Sequence, residues 1–264
     1  MKIVDFRFAV SDWVLRASAS LREKFPWRFK PLDWVYPRTC PGCGEVSDRE
    51  RRYWCWNCFQ KIETFPLHGG CELCGQRVEG SVTHSFVCGA CQSDRPHFDR
   101  ARAAADFSGT LREQILAFKY THALWMRQDL CDMLDGAVNA FFQPAVVDVV
   151  MPVPLHPLRQ RERTYNQSAL LAEALARRMD RRLDTRSLAR VRETSTQTKL
   201  DAVHRRANVA GAFQVKRPEW VAQRCVLLVD DVMTTGATLD ECARVLKKAG
   251  ARTVWAATLA RRKS

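Results

Sequence analysis

Eight of the eleven cysteines in this 264-residue chain stand in four C-x2-C pairs, Cys40/Cys43, Cys55/Cys58, Cys71/Cys74 and Cys88/Cys91. Two thiolates at that spacing converge on one side of a tight turn, and a second pair about a dozen residues on completes a tetrahedron around Zn2+. The first two pairs return as the last two, with CPGCG at Cys40 matched by CELCG at Cys71. This duplication predicts two structural zinc ions, one on Cys40, Cys43, Cys55 and Cys58 and one on Cys71, Cys74, Cys88 and Cys91. A cross-braced pairing is the lesser alternative, and an iron-sulfur cluster or redox dithiols would not call for the fourfold regularity. Trp54, Trp56 and Phe59 are expected to pack around the first knuckle rather than to stack on bases, because so small a module has little other core. Cys131, Cys225 and Cys242 fall in apolar helix or strand patterns and read as core thiols.

A second stretch with chemical content is VLLVDDVMTTGAT, 226–238. Its β-forming run puts Asp230 and Asp231 at the carboxyl edge of a buried strand. The turn Met233, Thr234, Thr235, Gly236 then opens a helix, and small or hydroxylated residues there let backbone N–H groups approach a phosphate. Two carboxylates beside a phosphate cup make no electrostatic sense for phosphate alone. They suit a ligand that also offers sugar hydroxyls or brings Mg2+, which is a phosphorylated ribose.

The elements that must hold these residues are legible in outline. Residues 101–107 read as a strand, 111–120 and 124–142 as helices, 146–154 as a β-branched run ending in prolines, and 166–182 as a helix. A buried strand at 225–232, a helix at 237–248 and a last strand at 252–259 follow. Strands alternating with helices imply a parallel sheet with its site at the strand C-termini. Ahead of the cysteines, Phe6, Val10, Trp13, Val14, Ala17 and Leu21 recur at helical spacing. They predict an amphipathic segment over 1–36 that docks on its own protein, or alternatively on a membrane surface or partner. The expected domains are that segment, a double zinc ribbon over 37–98 and an α/β domain over 99–264.

Charge sharpens the division. The formal net charge is +13, and residues 159–206 hold thirteen basic residues against six acids, so about half of the excess lies there. Residues 40–91 are balanced, which places any phosphate recognition in the C-terminal part. No apolar run is long enough to span a bilayer, and Asp5, Arg7 and Asp12 exclude an ordinary secretory signal, so a cytoplasmic location is expected. Thiols in that compartment bind metal more often than they form disulfides.

Residues 226–238 resemble the 5-phosphoribosyl-1-pyrophosphate (PRPP) motif of type I phosphoribosyltransferases, an apolar strand and an acidic pair followed by T-T-G-[AS]-T. The resemblance implies that Asp230 and Asp231 contact the ribose hydroxyls and that Thr234, Thr235, Gly236, Ala237 and Thr238 form the 5′-phosphate loop. Two further stretches narrow it. Residues 151–172, MPVPLHPLRQRERTYNQSALLA, look like the pyrophosphate loop, and 190–213, RVRETSTQTKLDAVHRRANVAGAF, like a flap. With FSGTLREQILAFKYTHA (107–123) and the zinc ribbons, they resemble the ComF family, competence-related phosphoribosyltransferase-like proteins, over about 34–260.

That family's R-G-[FY]-N-Q falls on Arg163, Thr164, Tyr165, Asn166 and Gln167, and its R-x-[KR]-x-T-x-x-Q on Arg190, Arg192, Thr194 and Gln197. Thr164 departs from the usual glycine, and a β-branched residue resists positive φ. The implied fold is a parallel-sheet, Rossmann-like phosphoribosyltransferase domain with a small N-terminal double zinc ribbon. Asp230, Asp231 and Arg163 are its implied catalytic residues, with His156 and Arg159 added to the phosphate loop as PRPP contacts and Mg2+ accompanying PRPP. Lys119 is either a phosphate or acceptor contact or a solvated helical lysine. The implied function is a phosphoribosyltransferase with an unnamed acceptor, linked to DNA uptake and natural transformation. The alternative is a non-catalytic protein that senses PRPP or binds single-stranded DNA along its basic region, together with other DNA-uptake proteins.

Overall fold

The β-branched run ahead of the two aspartates becomes the middle of a five-stranded parallel sheet. The computed structural model describes residues 38–49, 52–65, 69–77, 86–194 and 202–262, with side chains from 206 onward in the last stretch. The amphipathic segment over 1–36 lies outside the described residues, as does Gln197. Between Lys61 and Ile62 the chain divides into two compact units, so the 37–98 stretch straddles the division.

In the larger unit β1 (Arg100–Asp106), β2 (Val149–Pro152), β3 (Arg182–Leu183), β6 (Cys225–Met233) and β7 (Thr253–Arg261) lie in the order β1-β7-β6-β2-β3. All four pairings are parallel. Cys225 through Val229 are all buried, as a strand with neighbours on both sides and both faces covered requires. The short strands β4 (Leu188–Arg190) and β5 (Phe213–Val215) form a separate antiparallel ribbon. It brackets the flap-like 190–213 stretch, which also holds α7 (Ala202–Val209).

Two crossovers cover the faces. After β2 come α5 (Pro157–Arg163) and α6 (Gln167–Met179), and α6 packs on β2, β6 and α4 (Arg127–Phe141). After β6 comes α8 (Ala237–Lys248). Its apolar residues Leu239, Cys242, Ala243 and Leu246 recur at helical spacing and share one core with Val149, Met151, Val226, Leu228, Val254 and Ala256. Asp240 in its first turn and Lys247 and Lys248 in its last complement the helix dipole.

The β2 crossover leads to β3 on one side and the β6 crossover to β7 on the other. Right-handed connections then put their helices on opposite faces and leave a crevice between the carboxyl ends of β2 and β6. Register locates the acids in it. The last β2–β6 pair is Pro152 with Val229, so Asp230 and Asp231 stand immediately beyond the end of β2. The helices and strands expected from periodicity form within a few residues of their predicted limits. Not expected from the sequence are α5, whose Arg-rich stretch has no apolar stripe, the short strands β3, β4 and β5, and the helix α7. Among the described residues no helix is long and apolar enough to cross a membrane.

Candidate functional site

At the crevice Asp230 Oδ1 accepts a hydrogen bond from Ser168 Oγ at 2.7 Å and from the Asp231 backbone N–H at 2.9 Å. Lys119 Nζ, from the last turn of α3 (Gly109–Tyr120), lies 2.9 Å from Asp231 Oδ1. Burial, and then the neighbouring Asp231 carboxylate, push the Asp230 carboxyl up to about 7, against the opposing pull of the Ser168 hydroxyl and Lys119. A raised carboxyl holds its proton more tightly in the folded chain than in the unfolded one, so stability is lost as pH rises from about 4 through about 7. Asp230→Asn removes that loss. Relative to the native chain it should gain about 1–3 kcal/mol more at pH 8 than at pH 5 in urea unfolding. An equal shift at both pH values would contradict the assignment.

The turn after β6 is shaped by Gly236. Its φ is +83°, and a Cβ there would meet Met233 Cε at 2.7 Å. Glycine therefore lets the backbone close over Met233 and start α8 with its first N–H groups at the sheet edge. The Ala237 N–H reaches Thr235 Oγ1 at 3.4 Å. Thr234, Thr235 and Gly236 thus form a short turn two residues after the acidic pair, and Ala237 and Thr238 open α8.

The Arg163–Gln167 segment ties three elements together. Asn166 caps α6, its Oδ1 accepting from the Ser168 and Ala169 N–H groups, while its Nδ2 donates to the Val153 carbonyl at 3.0 Å at the exit of β2. Tyr165 donates its hydroxyl to the Phe118 carbonyl, and Gln167 Nε2 donates to the Lys119 carbonyl at 3.3 Å. Arg163 stacks on Tyr120 at 4.8 Å. Lys119, Tyr120, His122, Arg159, Glu162, Arg163 and Glu193 line a polar cleft of about 400 Å3. Arg159 also donates to the Thr194 carbonyl at 3.1 Å, linking the cleft to the flap-like stretch. His156, the N-cap of α5, has a buried Nδ1 with no hydrogen-bond partner among the described residues.

Thr164 takes a left-handed conformation, φ 64° and ψ −22°, after the last turn of α5. A β-branched residue is strained there. Thr164→Gly should therefore raise stability by about 0.5–1 kcal/mol and Thr164→Val should lower it, both readable as shifts in a urea midpoint. A destabilised glycine variant would place the dominant contribution in the Thr164 hydroxyl, which donates to the Arg163 carbonyl at 2.6 Å.

Several arginines of the basic region have intramolecular partners. Arg177 pairs with Glu173, and Arg178 with Asp132 and Asp135. Arg181 donates to the carbonyls of Pro144 and Ala145, and Arg182 lies over the Trp220 ring. Arg190 donates to Thr194 Oγ1, and burial, then the neighbouring Arg159, depress its pKa.

The thiols gather sequentially, not cross-braced. Cys40, Cys43, Cys55 and Cys58 form one group and Cys71, Cys74, Cys88 and Cys91 another, with the Sγ atoms in each within 4.8 Å of one another. The Cys43–Cys55 and Cys74–Cys88 sulfur distances are both 3.7 Å. A tetrahedron with Zn–S bonds of about 2.3 Å has edges of about 3.8 Å, so the groups fit zinc. Backbone N–H groups point at the sulfurs, Cys55 N at Cys40 Sγ (3.4 Å) and Cys88 N at Cys71 Sγ (3.3 Å). Burial opposes ionisation of Cys40, but the N–H groups of Cys55, Gly42 and Cys43 outweigh it and bring the thiol down to about 7. Cys58 is pushed up to about 12 by burial and by Cys43 and Cys40 beside it, the like-charge crowding that a cation at the centre relieves.

In the smaller unit Trp54 is fully buried, and its ring lies 6.5 Å from that of Phe59. In the larger unit the second group sits in the α8 core, which Cys71, Leu73, Cys74 and Cys91 share with Phe98, Ala101 and Met233. The buried Arg261 at the end of β7 donates to the Cys74 carbonyl and approaches Met233 Sδ at 3.5 Å. Cys131, Cys225 and Cys242 are buried.

The structure thus brings Asp230, Asp231 and residues 234–238 to one edge, and Arg159 and Arg163 to the adjoining cleft. Ser168 was not singled out by sequence reasoning; its position just past Asn166, at the start of the helix covering β2 and β6, is the signal that could have found it.

Residues 166–264 match the model of the phosphoribosyl transferase domain and residues 31–92 that of the double zinc ribbon domain. The chain is 34% identical over 212 residues to "Competence protein F" of Haemophilus influenzae, covering 78% of this chain and 90% of that protein. It is 31% identical over 216 residues to "DNA utilization protein YhgH" of Escherichia coli, covering 76% and 93%. To "Competence protein ComFC" of Bacillus subtilis it is 26% identical over 220 residues, covering 78% and 83%.

Proposed function

The chain belongs to the ComF family of competence and DNA-utilization proteins, and from that premise we propose that its α/β unit binds PRPP with Mg2+ as a phosphoribosyltransferase-like protein. One observation carries the reading. Two carboxylates stand immediately beyond the last β2–β6 pair, and five residues after the second a glycine opens a helix. In this reading Asp230 and Asp231 accept hydrogen bonds from the ribose hydroxyls, and 234–238 hold the 5′-phosphate. His156, with its unpartnered Nδ1, and Arg159 and Arg163 face the pyrophosphate.

The acidic pair fits a divalent cation as well as hydroxyls, since the Lys119 ammonium already rests on Asp231. Bound Mg2+ would neutralise charge on the departing pyrophosphate. In transfer the bond from ribose C1 to the pyrophosphate oxygen breaks, that oxygen keeps the electron pair, and a lone pair on the acceptor forms the new bond at C1 with loss of a proton. The chain's own contribution is positioning and charge stabilisation, with Asp230 able to hold a proton near neutral pH.

We place the protein in the cytoplasm, handling incoming single-stranded DNA or its nucleotides with other DNA-uptake proteins. The second reading, a PRPP sensor or DNA binder without turnover, would lean on the basic helix. There Arg177 and Arg178 at the end of α6, Arg181 just after it and Arg182 in β3 have intramolecular partners, which favours a small ligand in the crevice over a strand along that face. Pyrophosphate release from PRPP, assayed with nucleobases, amines and single-stranded DNA as acceptors, separates the two. Turnover with one of them is expected, and binding of PRPP without release under any condition favours the sensor.

A further inference from the structure

Lys119 sits between two places that its flexible stem can reach. One is Asp231, with Nζ 2.9 Å from Oδ1, and the other is the cleft whose wall it shares with Arg159 and Arg163. The pair with Asp231 is not a water-screened surface contact, because the two side chains keep only 16% and 10% of their exposure. The backbone beneath it is anchored by Tyr165 on the Phe118 carbonyl and Gln167 on the Lys119 carbonyl. The Arg163–Gln167 segment therefore holds the α3 terminus in place while leaving the lysine stem to choose between carboxylate and cleft.

We propose that Lys119 is a positioning cation that competes with a divalent metal for Asp231, holding the acidic pair closed in the free protein and turning into the cleft when metal and ligand arrive. This rests on the PRPP reading above. An ammonium and a doubly charged metal repel each other at one carboxylate, so the free protein binds the metal weakly. A pyrophosphate group in the cleft attracts the ammonium toward Arg159 and Arg163, vacating Asp231, so that metal and ligand favour each other's binding. The lysine thereby keeps the acidic pair neutralised until there is a ligand for the metal to serve.

The test titrates Mn2+ alone into the full, zinc-loaded chain and reads free Mn2+ by its electron paramagnetic resonance. Lys119→Met should bind Mn2+ at least about tenfold more tightly than the native chain. Lys119→Arg should stay near the native value, and Lys119→Met combined with Asp231→Asn should lose the gain. Circular dichroism checks each fold, and Lys119→Gln, which keeps a polar head, carries the same expectation where the methionine variant does not fold. Native-like Mn2+ affinity in both Lys119→Met and Lys119→Gln, or a gain that survives Asp231→Asn, overturns the proposal. PRPP bound by the native chain together with unchanged Mn2+ affinity in those variants sinks the lysine switch and leaves the ligand reading standing. Tighter Mn2+ without any PRPP binding does the reverse.

Discussion

Replacing Cys71 and Cys74 with serine should unfold the larger unit, whereas the same change at Cys40 and Cys43 should leave that unit folded. The asymmetry follows from where the second cluster sits. Cys71, Leu73, Cys74 and Cys91 are buried in the core that also contains Phe98, Ala101, Met233 and the apolar face of α8. The Ala101 N–H donates to the Leu73 carbonyl at 2.7 Å, and Arg102 to the Glu72 carbonyl at 3.0 Å, so the knuckle is bonded directly to β1. At Gly75 a Cβ would come within 2.9 Å of the Ala101 carbonyl oxygen, which shows how closely the two backbones approach.

Structural zinc in small modules contributes on the order of 10 kcal/mol to folding, and whole domains are stable by only about 5–15 kcal/mol. Removing two of its four ligands from within a core should therefore consume most of the unit's margin. Circular dichroism melts and zinc content per chain measure both variants. A Cys71/Cys74 variant that melts within a few degrees of the native chain would show that apolar packing alone holds this region.

The second large effect is expected at the acidic pair. Asn at both 230 and 231 should weaken PRPP binding by about 1–3 kcal/mol, roughly 5- to 150-fold, the scale of lost hydrogen bonds to charged groups. The fold should survive, since both side chains project from the carboxyl end of β6, beyond its last pair with β2. Asp99 and Asp148 serve as an internal contrast. They accept the N–H groups of Val254 and Cys225 at 2.7 Å each, at the opposite edge of the sheet. Asn at those positions should change stability with little effect on ligand binding.

What could be read in advance was local. C-x2-C spacing is a property of a few consecutive residues, and its repeat predicted two sequential thiol groups, which form. The run Val226–Val229 with its following acids and glycine is equally local, and it lies at the sheet's centre as its apolar continuity required. Relations across long sequence separations were not legible. Nothing near Cys74 announces that Arg261, 187 residues away, donates to its carbonyl, or that the second knuckle shares the α8 core. The choice for Lys119 between a solvated and a functional side chain is not legible locally, because its partner Asp231 comes from β6, more than a hundred residues on. The α5 helix was missed because Pro157–Arg163 carries one apolar side chain among charged and polar ones and has no stripe to detect. Thr164 was the reverse case, since its departure from a family glycine flagged a position that does adopt positive φ.

Calorimetric titration of PRPP into the zinc-loaded chain, with and without Mg2+, tests the central claim most directly. One PRPP per chain, bound far more tightly with Mg2+ and weakened by Asn at 230 and 231, is the expected result. Absence of PRPP binding at any Mg2+ concentration, or binding indifferent to both the metal and the acidic pair, would contradict it.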